Sequence, residues 1–111
     1  MSNFRKQLNK GVLELGILKL LCEQDHYGYS LIQEMNKIGT GGLELKEGTL
    51  YPILYRLEDS KLIESYWEPT EGRGKPRKYY KITDEGRKTF KEMLEDYREL
   101  TEGVNNILHL K

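Results

Sequence analysis

The side chains best suited to chemistry in this sequence are cations and phenols, not nucleophiles. From Gly72 to Lys81 there are five basic residues (Arg73, Lys75, Arg77, Lys78 and Lys81) and no acid. Glycines and Pro76 separate them, and glycine lets a backbone approach a phosphate closely while Arg and Lys pair with its oxygens. A second polar set, Thr49, Tyr51, Tyr55 and Arg56, lies in a segment of helical periodicity. Arginine there has the geometry to read guanine bidentately. Tyr27 and Tyr29 carry hydroxyls that either donate to phosphates or belong to buried aromatics. Read alone, the charge run is equally an ordinary solvated surface.

Catalytic and metal chemistry find little support. His26 and His109 share no ligand spacing with Cys22, the one cysteine, so no metal site is expected. No Ser/His/Asp or Cys/His set stands out, and no glycine-rich phosphate loop follows a strand. The carboxylates fall in solvated helical patterns. We expect no catalytic residues, no cofactor and no enzyme activity.

The 111 residues suffice for one compact unit, with 37% hydrophobic and 32% charged residues. A chain this small gains stability from pairing with a second copy. A single cysteine excludes an intramolecular disulfide and fits a reducing compartment. No apolar run follows the charges at the start, and none approaches the roughly 18 residues of a membrane span, so a cytoplasmic protein is expected. The 18 Lys plus Arg balance 18 Asp plus Glu. The balance is segregated, however. Seven acids against four bases occupy 84–102, directly after the basic segment. A phosphate responds to the local field, which fades over about 10 Å at moderate salt.

These groups must be held by a small set of elements. Over 8–22, Leu8, Val12, Leu15, Leu18 and Cys22 form one helical stripe and Leu13, Ile17, Leu20 and Leu21 another, so this helix is expected to be buried on two sides. A short second helix is expected from Ser30, as N-cap, with Leu31, Ile32 and Met35 inward. The run Gly39–Gly42 ends it. In the third helix Leu50, Ile53, Leu54 and Leu57 mark a buried face, which turns Tyr55 and Arg56 outward and leaves Thr49 and Tyr51 at the edges. Residues 63–68 and 78–83 read as two strands of a hairpin with a basic tip. Thr83 caps a last helix with Asp84 and Glu85 in its first turn. There Phe90, Tyr97 and Val104 alternate with Met93, Leu100 and Ile107, flanked by Leu94 and Leu108, in about three heptads that argue for pairing of helices.

The result is a mainly α fold with a small β-hairpin. Its order, three helices, a hairpin and a long helix, is that of a winged helix-turn-helix followed by a dimerisation helix. We place the DNA-binding unit at 1–83 and the dimerisation helix at 84–111. A helix anchored by one face can enter a major groove about 12 Å wide, and a basic hairpin can reach the adjoining backbone.

The strings HYGYSLIQEM at 26–35, EGTLYPILYRLEDSKLI at 47–63 and GRGKPRKYYKITDEG at 72–86 resemble the PadR-like family of transcriptional regulators, with GTLYP-xL-xRLE the most specific part. The resemblance covers nearly the whole chain and its shorter branch, with one C-terminal dimerisation helix. It implies that helices two and three form the helix-turn-helix, the hairpin the wing, and the first and last helices the dimer. It also implies a repressor released by a small hydrophobic or aromatic compound. Two departures stand out. Lys46 replaces the small hydroxyl residue many relatives carry before the recognition helix, which weakens the cap but adds a cation near DNA. The last helix has Phe90 and Tyr97 but no tryptophan to sandwich a planar ligand, since Trp67 lies in a strand.

The expected DNA contacts are thus Tyr27, Tyr29, Lys46, Thr49, Tyr51, Tyr55, Arg56, Arg73, Lys75, Arg77 and Lys78. The expected dimer interface is Leu8, Val12, Leu15, Phe90, Met93, Leu94, Tyr97, Leu100, Val104, Ile107 and Leu108. The expected partners are double-stranded DNA with an inverted repeat, a second copy of the chain, and a small hydrophobic effector in a cavity between copies. The competing reading is a winged-helix protein-interaction module without an operator, and a third is a small-molecule carrier.

Overall fold

The computed structural model describes residues 2–40, 42–69 and 74–111. The first helix, α1 (Asn3–Glu23), starts five residues before the apolar stripe predicts. Its opening turns are polar and exposed, so they leave no periodic signal. The Ser2 hydroxyl fixes them by accepting from the Arg5 amide at 3.1 Å. Leu13, Ile17, Leu18, Leu20 and Leu21 are buried, so α1 is enclosed on more than one side.

A two-residue strand, β1 (His26–Tyr27), precedes the second helix, in a stretch to which the sequence pattern assigns no element. Two residues cannot display an alternating pattern, and β1 exists only because a later strand offers an edge. Helix α2 (Gly28–Gly39) starts two residues before Ser30. Ser30 is therefore not the N-cap. Its hydroxyl donates to the Tyr27 carbonyl at 2.9 Å from within the first turn, and Tyr27 occupies the cap position with no side-chain bond. Thr40 ends α2 in the left-handed region, φ 43°.

Helix α3 (Glu47–Asp59) buries Leu50, Ile53, Leu54 and Leu57, the face that periodicity predicts. Lys46 is its N-cap and makes no side-chain cap bond. What sets α3 against α2 is Asn36. Its carboxamide donates to the Leu45 carbonyl at 3.1 Å and accepts from the Leu45 amide at 2.7 Å, and the Leu45 side chain is fully buried. Both backbone groups of one loop residue are thereby satisfied, as buried groups must be.

Strand β2 (Ile63–Glu68) pairs antiparallel with β3 (Arg77–Ile82), Ser65 opposite Tyr80 and Tyr66 opposite Tyr79. β3 thus starts and ends one residue earlier than predicted, and Thr83 is outside it. The sheet order is β1-β3-β2, so the hairpin gains a third strand through Tyr27 opposite Tyr79. One face carries Ile63, Tyr80 and Ile82 into the core formed with α1, α2 and α3.

The last helix, α4 (Asp84–Leu108), is capped by Thr83, whose hydroxyl accepts from the Gly86 amide at 2.9 Å. The same hydroxyl shares its proton between the Lys61 carbonyl at 2.9 Å and that of Leu62 at 3.0 Å, while the Thr83 amide also donates to Leu62. Gly86 presses on this junction. A Cβ there would overlap the Leu62 carbonyl oxygen and lie 2.7 Å from Ile82 Cγ1. Phe90 and Met93 pack on the core, whereas Leu100, Val104, Ile107 and Leu108 are exposed along the remainder of α4. Among the described residues no helix is long and apolar enough to cross a membrane.

Because the obstacle at Gly86 is backbone, it cannot swing aside. Gly86→Ala is expected to destabilise the fold by about 1–3 kcal/mol, the usual range for an overpacked site. Thermal denaturation should show it, against Gly103→Ala, where the added methyl meets nothing within 4 Å.

Candidate nucleic-acid interface

The outward face of α3 divides into two sides. Tyr51 and Tyr55 lie on one, and Tyr55 is 73% exposed. The Tyr51 ring rests over the start of α2, where a Cβ on Gly28 would meet its hydroxyl and come within 2.9 Å of Cζ. The close approach joins Tyr51 to the α2 terminus, beside which Tyr29 is exposed. Thr49 and Arg56 lie on the other side, toward α1, together with Lys46 at the start of the helix. The structure therefore exposes Tyr29, Lys46, Thr49, Tyr51, Tyr55 and Arg56 but spreads them over two flanks of α3.

Arg56 is not a free cation in this state. Its Nη2 lies 3.9 Å from Glu14 Oε2 on α1, and Lys46 Nζ lies 3.6 Å from Glu44. The Lys46–Glu44 pair is exposed and the Arg56–Glu14 pair partly so, Glu14 at 28%, and long surface pairs of this kind contribute little to stability. They leave the arginine and lysine available to a more highly charged partner.

The wing contributes Lys75, Arg77 and Lys78, all exposed. The Arg77 guanidinium stands 4.7 Å from the Tyr27 ring centre, and Lys78 Nζ 5.8 Å from that of Tyr80. Tyr27 also meets Tyr79 edge-on at 5.4 Å, and Tyr79 stacks on Tyr66 at 5.7 Å. Tyr27 is thus half-buried in a row of three tyrosines that crosses the sheet in register. Tyr66 closes the row by donating to Asp25 at 2.6 Å, which pushes its pKa up to about 12. Arg73, also expected in the wing tip, lies outside the described residues.

Sequence patterns assign no role to Asn36, Asp25 or His26. The signal for Asn36 is a polar residue near a helix end facing a loop, which is too common to be read alone. His26 is buried at 4% exposure, and its Nδ1 lies 2.9 Å from the Ser30 hydroxyl. That hydroxyl gives its proton to the Tyr27 carbonyl, so the network assigns the hydrogen to His26 Nδ1. Burial pushes the His26 pKa below 6.5, against an upward pull from Glu34, Glu23 and Asp25. Among the described residues no group of three or more His, Cys, Asp or Glu side chains could hold a metal.

The folded chain binds fewer protons at His26 than the unfolded chain just below pH 6.5. Stability contributed by the neutral imidazole is therefore complete above pH 6.5 and lost as pH falls toward the lowered pKa. Denaturant titrations between pH 7.5 and roughly 5 should show this loss. The His26→Gln variant should show a smaller fall over the same interval. An equal fall in both proteins would assign the loss to other groups.

The profile of the transcriptional regulator PadR-like family matches residues 17–92. A transcriptional regulator of Mycobacterium tuberculosis is 31% identical over 103 residues, covering 93% of this chain and 89% of its own. The crystal structure of a PadR-like transcriptional regulator from Bacillus cereus aligns with a TM-score of 0.79 at 37% identity, covering 95% of this chain and 99% of that one. A PadR-like transcription factor from Bacteroides fragilis aligns with a TM-score of 0.76 at 38% identity, over 96% and 99% of the two chains. The helix-turn-helix, the three-stranded wing and the matched residues together place this chain in the PadR-like family, as a DNA-binding transcriptional regulator and not an enzyme.

Proposed function

We propose that the chain is a cytoplasmic homodimeric repressor that binds an inverted-repeat operator and is released by a small hydrophobic or aromatic effector. The observation that carries the dimer is the apolar stripe of α4. Leu100, Val104 and Ile107 are 70%, 45% and 79% exposed, spaced by four and three residues, with Tyr97 one turn before them. Such a heptad seam on an otherwise charged helix is suited to a second helix. Phe4 and Leu8 expose further apolar surface on α1. Of the predicted seam, Phe90 and Met93 already pack on their own core, which shortens the part left for a partner.

In the dimer, two α3 helices enter successive major grooves roughly 34–36 Å apart, which is why the operator is an inverted repeat. Tyr29, Thr49, Tyr51, Tyr55 and Arg56 face the groove, and Lys75, Arg77 and Lys78 reach the backbone beside it. Half-buried Tyr27 supports Arg77 through its ring. An effector seated between copies, near Leu8, Val12, Leu15, Leu94 and Leu108, changes operator affinity only by binding one arrangement of the heads better than the other.

Sedimentation equilibrium should give a dimer for the wild type and a monomer for Leu100→Glu/Ile107→Glu. The variant should bind an operator at least tenfold more weakly in fluorescence anisotropy. A wild-type monomer that binds with full affinity would refute the dimeric reading.

Arg56→Ala should relax base preference at one operator position, by roughly 1–3 kcal/mol of discrimination. Lys75→Ala should instead weaken all sequences alike and flatten the salt dependence. Equal losses on operator and scrambled DNA for Arg56→Ala would make Arg56 a phosphate contact.

A further inference from the structure

A groove of about 660 Å³ opens between the amino-terminal half of α1 and the start of α3. Leu13 and Ile53 form its apolar floor, and both belong to the core. Lys6 and Lys10 line one wall, Lys46 and Arg56 the other. Lys6, Lys10, Leu13 and Ile17 continue one stripe of α1 at helical spacing. That stripe is core where it meets the other helices and becomes lysine where it leaves them.

Two further features mark the groove. Glu14 and Glu44, its acids, are each held by a cation of the α3 side: Glu14 by Arg56 and Glu44 by Lys46. Neither Lys6 nor Lys10 has an ion-pair partner among the described residues. Gly11 and Gly48 stand on opposite walls, and a Cβ on either would meet nothing within 4 Å. Packing within the chain therefore requires neither glycine, although Gly11, inside α1, is less favourable than alanine there by about 1 kcal/mol. Their shared effect is to keep both walls open at the level of the backbone.

From the charge, the open walls and the continuity with the exposed face of α3, we infer that this groove seats the sugar-phosphate backbone of duplex DNA, with Lys6 and Lys10 as phosphate contacts. The inference rests on the DNA-binding reading and extends its footprint from α3 and the wing to α1. Lys46, Thr49 and Arg56 belong to both the groove and the α3 face, so a strand leaving the major groove beside α3 passes directly over the α1 lysines.

The test is Lys6→Gln/Lys10→Gln, with Lys19→Gln, an exposed α1 lysine outside the groove, as control. Fluorescence anisotropy on operator and scrambled duplexes, at several salt concentrations, reads the result. The double variant should weaken both duplexes by the same factor. It should also flatten the plot of log affinity against log salt by about 0.9 for each phosphate that is no longer neutralised. Lys19→Gln should keep the wild-type slope. An unchanged slope in the double variant, with wild-type protein still binding DNA, would overturn the inference alone. A wild-type protein with no salt-dependent DNA binding would instead remove the reading beneath it. Loss of the dimer in sedimentation, without a change in slope, would assign the groove to the subunit interface and also overturn the inference.

Discussion

The carbonyl of Leu62 decides where the long helix goes, and with it the relation of the two exposed surfaces. It accepts from the Thr83 amide and hydroxyl, and Gly86 lies so close that no side chain fits between them. The turn that presents this carbonyl is itself held, because Lys61 takes a left-handed conformation, φ 64°, and the Leu62 amide donates back to Leu57. The end of α3, the edge strand β2 and the start of α4 therefore meet at one backbone junction. A rotation of α4 about that point would move the apolar stripe relative to α3. In a dimer built on the stripe, the distance between two α3 helices would change with it.

A second constraint acts at the other end of the helix-turn-helix. Asn36 substitutes for a strand partner at Leu45, and the burial of Leu45 fixes the depth at which the loop enters the core. Tyr51 resting on Gly28 then sets the rotation of α3 about its axis. With depth and rotation fixed, the outward positions follow from the helical repeat. Thr49 and Arg56 then lie on the flank of exposed surface nearer α1, and Tyr51 on the flank that meets the start of α2, with Tyr55 exposed one turn on. His26 and Ser30 stabilise the same terminus from beneath, which is why a buried imidazole in the sheet bears on a tyrosine-lined surface some residues away.

The parts of the fold that are legible in the sequence are those that bury a repeating stripe. Leu50, Ile53, Leu54 and Leu57 place α3 correctly because one side of a helix needs an apolar residue every three or four positions, and the strand Ile63–Glu68 matches its predicted span. The start of α1 is not legible, since an exposed capped turn has no stripe. Strand β1 is not legible either, because two residues carry no period. Ser30 reads wrongly as a cap for a related reason. A serine before an apolar run has the same signature whether it caps a helix or sits in its first turn bonded backward to Tyr27. For the interface, sequence supplies the residue types, and its periodicity turns Tyr55 and Arg56 outward. It cannot supply the partners that Arg56 and Arg77 hold in the free chain, Glu14 and the Tyr27 ring, because both contacts are made across elements.

The distribution of charge over the elements explains how a chain with no net charge can still bind a polyanion. The acids of 84–102 lie on α4, while the cations of the wing and of the α1–α3 groove lie on other elements. Near α3, Glu14 and Glu44 reduce the positive field that an approaching duplex meets. This is a useful reduction for a protein that must leave nonspecific DNA readily, because nonspecific affinity grows with each phosphate neutralised. Half-buried Glu14 holds Arg56 only loosely, at 3.9 Å, whereas a guanine edge can offer an arginine two directed hydrogen bonds.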